Sequence, residues 1–253
     1  MMRALILAAT QNRVVARTVR RYGMRMGASR FVAGETLDQA VGVLRALNAQ
    51  GLLTNTTLLG EAVRDAATVR QVVETYLVIL DRIHREGLQT NIALKLSQLG
   101  LDLSEDEAFA NVARIAARAR ELGNFVRIDM EESARVDATL RIYRRLLAEG
   151  LDNVGTVLQS YLYRTPQDLD ALLPLRPNLR LVKGAYLEPP HVAFPRKADV
   201  DAQYVRLAER MLLDGRFTAI ATHDERIIEH VRAFAAKRGL GPAQYEFQML
   251  YGV

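Results

Sequence analysis

Residues 179–186 read LRLVKGAY, an alternating apolar run that finishes on a lysine, a glycine and a tyrosine. The alternation predicts a short strand, and the switch to functional groups at its end marks one side of a sheet for chemistry. Working outward, the same shape recurs. Residues 55–61 (NTTLLGE), 91–97 (NIALKLS), 125–131 (FVRIDME) and 154–160 (VGTVLQS) precede it, and 217–223 (FTAIATH) and 245–251 (YEFQMLY) follow. Helical spacing fills the gaps: Val69, Val72, Val73, Tyr76, Leu77 and Leu80 share one predicted face, and Ala110, Ala113, Ala116, Ala117 and Leu122 another. The strand starts lie about 32 residues apart, the size of a βα unit. Even repetition favours a parallel barrel over an open sheet, and the active site of such a barrel sits at the carboxyl ends of its strands.

Those ends are occupied by functional groups. Glu61 closes the first run, Lys95 and Ser97 the second, Asp129 and Glu131 the third, and Gln159 the fourth. Lys183 and Tyr186 close the fifth and Thr222 and His223 the sixth, while Gln248 and Tyr251 lie in the seventh. The fold expected is an α/β (β/α)8 TIM barrel that lacks its eighth strand and closing helix in this chain. Residues 1–54 form an N-terminal helical arm and lead-in, and residues 55–253 the barrel. An open parallel edge invites aggregation, so either a longer natural chain or some other cover for that edge is expected.

Composition narrows the chemistry. The 253 residues are 49% apolar and 25% charged, as in globular proteins. They contain no cysteine, which excludes disulfides, thiolate metal sites and a thiol nucleophile. The net charge of +5 is local: residues 1–34 hold seven arginines and no acid, and residues 35–253 carry −2. Residues 14–26 read as an arginine-rich helix, expected to be solvated and to lean on the domain. A near-neutral body argues against nucleic acid as a partner. Lysine is scarce, with only Lys95, Lys183, Lys197 and Lys237 beside 30 arginines, so a lysine in a core-like segment calls for an explanation. No dinucleotide-binding, phosphate-loop, zinc-protease or serine-elbow motif occurs. Asp129, Glu131 and His223 lack a diagnostic metal spacing, and no metal is expected. His84 and His230 fall in helical stretches, and His191 lies in a long loop, residues 187–197, that reads as a lid.

The strand-end segments together resemble the proline dehydrogenase family, in its monofunctional bacterial form. The matching segments are LLGE (58–61), ALKLSQLG (93–100), RIDMEE (127–132), VLQSY (157–161), RLVKGAY (180–186), ATHD (221–224) and YEFQMLYG (245–252), with FVAGE (31–35) as a lead-in. The resemblance implies a distorted (β/α)8 barrel with FAD at the carboxyl ends of its strands, and oxidation of L-proline to Δ1-pyrroline-5-carboxylate by hydride transfer to the flavin N5. Electrons would pass to a membrane quinone, and the product to a pyrroline-5-carboxylate dehydrogenase. It implies a cytoplasmic enzyme, with peripheral contact at the inner face of the membrane.

The resemblance also assigns roles. Asp129, Arg180 and Tyr186 would be the catalytic groups, Arg180 beside the flavin N5 and Tyr186 in the substrate site. Lys95 would pair with the proline carboxylate. Met130 would pack on the flavin, and Gln159 would hydrogen-bond the isoalloxazine. Lys183, Gly184 and Ala185 would line the cofactor site, and Thr222 and His223 would contact its ribityl–phosphate portion. Glu61 would pair with an arginine of a final helix, and the family clamps the substrate carboxylate with a tyrosine and a paired arginine from its last strand and that helix. Nothing follows Val253 here, so weak proline binding and a Glu61 without that arginine are expected. The physics is consistent with these roles: fixed cations stabilise charge developing on a reduced flavin, and a buried lysine needs a counter-charge such as a substrate carboxylate. Two other readings stand beside it. One is a Schiff-base aldolase using Lys95 or Lys183; the other is an arginine-rich binding protein.

Overall fold

The computed structural model describes residues 30–253, and these divide into two units. The smaller, residues 30–52 with Met249–Val253, contains one helix, α1 (Leu37–Asn48). Thr36 caps it: its hydroxyl accepts from Gln39 N at 3.3 Å, and the Gln39 side chain accepts from Thr36 N in return. The predicted helix over residues 14–26 lies outside the described residues.

The larger unit, Leu53–Gln248, alternates strand and helix throughout. Its order is β1 (Thr54–Thr56), α2 (Ala66–Arg85), β2 (Thr90–Leu94), α3 (Glu105–Glu121), β3 (Val126–Ile128), α4 (Val136–Ala148) and β4 (Val154–Gln159). After these come α5 (Thr165–Leu172), β5 (Asn178–Val182), α6 (Lys197–Asp214), β6 (Phe217–Ala221), α7 (Glu225–Lys237) and β7 (Tyr245–Gln248). The seven strands form one parallel sheet in sequence order, each paired with its chain neighbour. It curls into a barrel missing a stave, and among the described residues β1 and β7 each pair on one side only. All seven predicted strands are present, but the pairing stops one to five residues short of the predicted ends. Glu61, Lys95, Ser97, Asp129, Glu131, Lys183, Tyr186, Thr222 and His223 therefore lie in the loops that follow the strands.

Apolar stripes hold the helices to the outer face of the sheet. In α2, Val69, Val73, Tyr76 and Leu80 of the predicted face are buried and Val72 and Leu77 half-buried, while Ile79 and Ile83 extend the stripe. In α3 the expected alanine face is displaced: Ala110 is exposed, and the buried stripe is Ala108, Phe109, Val112, Ile115, Ala116 and Ala119. A methyl group contributes little burial, so the larger Phe109, Val112 and Ile115 set the rotation. Arginines then bridge neighbouring helices. Arg114 and Arg118 of α3 reach Glu74 and Asp81 of α2, and Arg141 and Arg145 of α4 reach Glu105 and Asp106 of α3.

The inward face is polar. The register places Asn55, Asn91, Arg127, Asn178, Arg180, Glu246 and Gln248 on one side of the sheet. Arg127 is 3% exposed, and its guanidinium donates to the carbonyls of Thr156 and Asn178 at 3.0 Å and to Asn178 Oδ1 at 2.6 Å. It also lies 4.9 Å over the Phe125 ring. Burial, and then the second guanidinium of Arg180, push its pKa down to about 9, which leaves it charged at neutral pH. Gly155 makes room for it, because a Cβ there would collide with Arg127 Nη1, the Asn178 carbonyl and the Phe125 ring. Gly155→Ala should therefore lower the thermal midpoint by about 3–9 °C through overpacking. A melting curve followed by circular dichroism reads this directly, and an unchanged midpoint would contradict the packing described.

Candidate active site

Arg180 organises the open end of the interior. From β5 its guanidinium donates to Gln248 Oε1 of β7 at 2.6 Å, to Asp129 Oδ1 just past β3 at 2.9 Å, and to Asn55 Oδ1 of β1 at 3.1 Å. The Gln248 amide nitrogen turns to Glu246, which fixes its oxygen toward Arg180. Asp129 is held in place by its own N–H, which donates to the Leu94 carbonyl at 2.9 Å. Lys95 follows β2 on the same inward parity and is half-buried. Among the described residues its ammonium makes no ion pair and no hydrogen bond.

Tyr186 stands beside this group, its hydroxyl donating to Glu61 Oε1 at 3.0 Å. Burial, reinforced by Glu61, Glu131 and Asp129, raises its pKa far above the usual tyrosine value, so it remains a donor. Among the described residues Glu61 thus meets the Tyr186 hydroxyl in place of an arginine. Gln159 is buried and its amide donates to the Glu131 carbonyl at 2.7 Å, and Met130 is buried beside it in sequence. Gly184 adopts φ 114, and a Cβ there would strike the Tyr161 ring; this brings the 183–185 backbone against that ring. Ala185 is exposed.

A second cluster lies between α6 and α7. Lys183 Nζ donates to Asp201 at 2.6 Å and Asp224 at 2.7 Å, and Lys197 donates to the same two carboxylates. Buried Thr222 accepts from Asp224 N at 3.1 Å. A cleft of about 750 Å³ opens here, lined by Lys197, Asp201, His223, Asp224, Arg226 and His230. Asp129, Glu131 and His223 do not converge, since Asp129 binds Arg180, Glu131 binds Ser97 and His223 faces this cleft. The expected lid is fastened along its length. Glu188 accepts from Ser133 N and Oγ at 2.6 Å, Ala193 bridges Leu162, Phe194 N donates to the Tyr161 carbonyl at 2.8 Å, and Tyr163 packs edge-on to Phe194.

The proline dehydrogenase family profile matches residues 40–253. Proline dehydrogenase of Deinococcus radiodurans is 45% identical over 230 residues, spanning 89% of this chain and 74% of that protein. Proline dehydrogenase 1 of Bacillus subtilis is 40% identical over 253 residues, spanning all of this chain and 83% of that protein. The chain belongs to the proline dehydrogenase family. Its fold is that of a domain of larger proteins. Proline utilization A from Bdellovibrio bacteriovorus, solved after inactivation by N-propargylglycine, superposes with a TM-score of 0.84 at 24% identity, over 95% of this chain and 30% of that one. A variant of the Bradyrhizobium japonicum protein gives 0.76 at 27% identity over 95% and 28%. This chain thus spans less than a third of those proteins.

Proline dehydrogenases are oxidoreductases, and the geometry is unfavourable to the aldolase reading at Lys183, whose amine is clasped by two carboxylates. Sequence reasoning missed Asn55, Asn91, Arg127, Asn178 and Glu246. A period of two was the available signal: Arg127 precedes Asp129 by two residues, Asn178 precedes Arg180, and Glu246 precedes Gln248.

The lysine clasp carries a pH signature. Hydrogen bonds from Lys183 and then Lys197 hold the Asp224 carboxyl far below its ordinary value of 3.8. The folded state therefore binds that proton less readily than the unfolded chain. The resulting stabilisation is present above pH 3.8 and is lost as pH falls below it. Asp224→Asn should lose stability less steeply than the parent between about pH 5 and pH 2 in urea unfolding. Parallel slopes would count against the clasp.

Proposed function

We propose that the chain oxidises L-proline to Δ1-pyrroline-5-carboxylate with FAD as its cofactor. The observation that carries this reading is the half-buried ammonium of Lys95, which makes no ion pair or hydrogen bond among the described residues and lies on the same face as the Arg180–Asp129 pair. A half-buried cation without a counter-charge among the described residues suits a small substrate carboxylate.

Two observations support a fit to FAD. His223 lines a cleft of a size suited to a nucleotide, Lys183 and Thr222 bond to its lining residues Asp201 and Asp224, and Gln159 and Arg180 lie near the carboxyl ends of the neighbouring strands β4 and β5. The close approach of the Gly184 backbone to Tyr161 leaves that rim free of a side chain. Gln159, Lys183, Gly184, Ala185, Thr222 and His223 would hold the cofactor, with Met130 against its ring. When bound, FAD supplies the two-electron acceptor that oxidation of a secondary amine to an imine requires, by hydride transfer to N5.

The chain's own residues do the positioning. Lys95 binds the carboxylate and fixes one end of the substrate. Asp129 and Gln248 hold the Arg180 guanidinium in one orientation, so its charge is aimed without reorganisation. The Tyr186 hydroxyl, oriented by Glu61, closes the substrate site on the side of the β5 loop. The fixed geometry accounts for rate through orientation, because the redox chemistry belongs to the cofactor.

A membrane quinone as electron acceptor, peripheral contact at the cytoplasmic face and onward passage of the product to a pyrroline-5-carboxylate dehydrogenase complete the reading. Family membership is their support. Among the described residues no helix is long and apolar enough to cross a membrane.

The full-length chain, folded in the presence of FAD, should be yellow, and adding proline with a quinone or dye should bleach the flavin and reduce the acceptor. Lys95→Met should raise the proline KM about tenfold or more while leaving flavin content unchanged. A folded sample that stays colourless with added FAD would overturn the proposal.

A further inference from the structure

Ser97 and Glu131 stand among the functional groups after β2 and β3, yet neither has a part in the proposed reaction. Glu131 is 1% exposed, and a carboxylate so buried must be satisfied. Ser97 satisfies it on both oxygens: Ser97 N donates to Oε1 at 3.0 Å, and Ser97 Oγ donates to Oε2. A serine hydroxyl has one proton. Once that proton is given to a carboxylate, the oxygen can serve its other neighbour only as an acceptor. That neighbour is Ala62 N, which donates to Ser97 Oγ at 3.1 Å, and Val63 N donates to the Ser97 carbonyl at 2.9 Å. The buried charge thus fixes the polarity of the whole junction. Ser97 itself sits in a 3-10 turn, Leu96–Gln98, and is fully buried, so the anchor is rigid.

The object held is an exposed turn that would not keep its shape alone. Ala62 lies at φ 53, the left-handed region that costs an alanine about 1 kcal/mol or more, and Gly60 lies at φ 140. Glu61 sits between them and accepts from the Tyr186 hydroxyl. Ser97 therefore connects the core directly to the one strained residue beside that carboxylate.

We propose that Ser97 and Glu131 are positioning residues: their buried junction holds the 60–63 turn so that Glu61 fixes Tyr186, and through this contact they set substrate affinity. The proposal rests on L-proline being the substrate. It assigns Ser97 an action on binding rather than on the electron-transfer step, which separates KM from kcat.

The test compares Ser97→Ala, Ser97→Thr, Glu61→Gln and the Ser97→Ala/Glu61→Gln double variant in the full-length, FAD-loaded chain. Ser97→Ala should raise the proline KM about tenfold with kcat within about twofold, and Ser97→Thr should recover most of the loss. Since Ser97 acts through Glu61, the double variant should bind proline no worse than Glu61→Gln alone. Backbone amide exchange at Ala62 and Val63 should also be faster in Ser97→Ala. An unchanged KM, multiplicative effects in the double variant, or unchanged exchange would each overturn the proposal. Should Ser97→Ala fail to fold, Glu131→Gln carries the same comparisons. Exchange needs no substrate, so a parent chain inert toward proline would sink the proposed reaction, while the exchange rates at Ala62 and Val63 would still show whether the junction holds the turn.

Discussion

One guanidinium ties together strands from every part of the curled sheet. Arg180 stands on β5 and bonds to side chains on β1 and β7 and to the residue that follows β3. A parallel sheet has backbone pairing between neighbours to set its curvature, and among the described residues the two outer strands pair on one side each. The cross-interior bonds of Arg180 add a constraint that backbone pairing cannot supply. They also place a fixed positive charge at the carboxyl ends of the strands, where the chemistry of this architecture lies. Scaffold and site are thus joined through the same atoms.

The larger unit was legible because its periodicity was strong. Seven apolar runs at even spacing specified seven parallel strands, and each βα unit has a right-handed route back to the sheet. The strand ends were less legible. In LLGE, for example, the apolar pattern runs on through Leu58 and Leu59, but ladder pairing stops at Thr56 and the two leucines belong to the loop. Apolarity shows what prefers burial and says little about where two backbones part. The helix face of α3 was misjudged for a related reason, because alanines mark a helix without fixing its rotation.

The site was legible in outline only. The end-of-strand residues could be read from position, and roles for Lys95, Asp129 and Arg180 followed from the family resemblance. The interior layer beneath them was hidden because Arg127, Asn178 and Glu246 look like ordinary polar residues in a strand, and their partners are remote in sequence. Arg127 meets Asn178 across 51 residues, and its space is provided by a glycine on a third strand. The charge balance was similarly opaque. Arg114, Arg118, Arg141 and Arg145 of α3 and α4 lie in exposed interhelical pairs, so their charge is locally neutralised.

The bonds of Arg180 have a kinetic consequence. Each strand pairs with its immediate predecessor, so the sheet can grow by successive short loop closures, and every addition finds a completed edge. Arg180 instead joins residues separated by 51, 68 and 125 positions. The last of its partners to be made, Gln248, sits at the end of the final strand. Growth of the scaffold is therefore local and progressive, whereas assembly of the site waits for the whole barrel wall. A nascent chain holds most of its sheet before it holds any part of a complete charge network, and it reaches structural integrity earlier than competence.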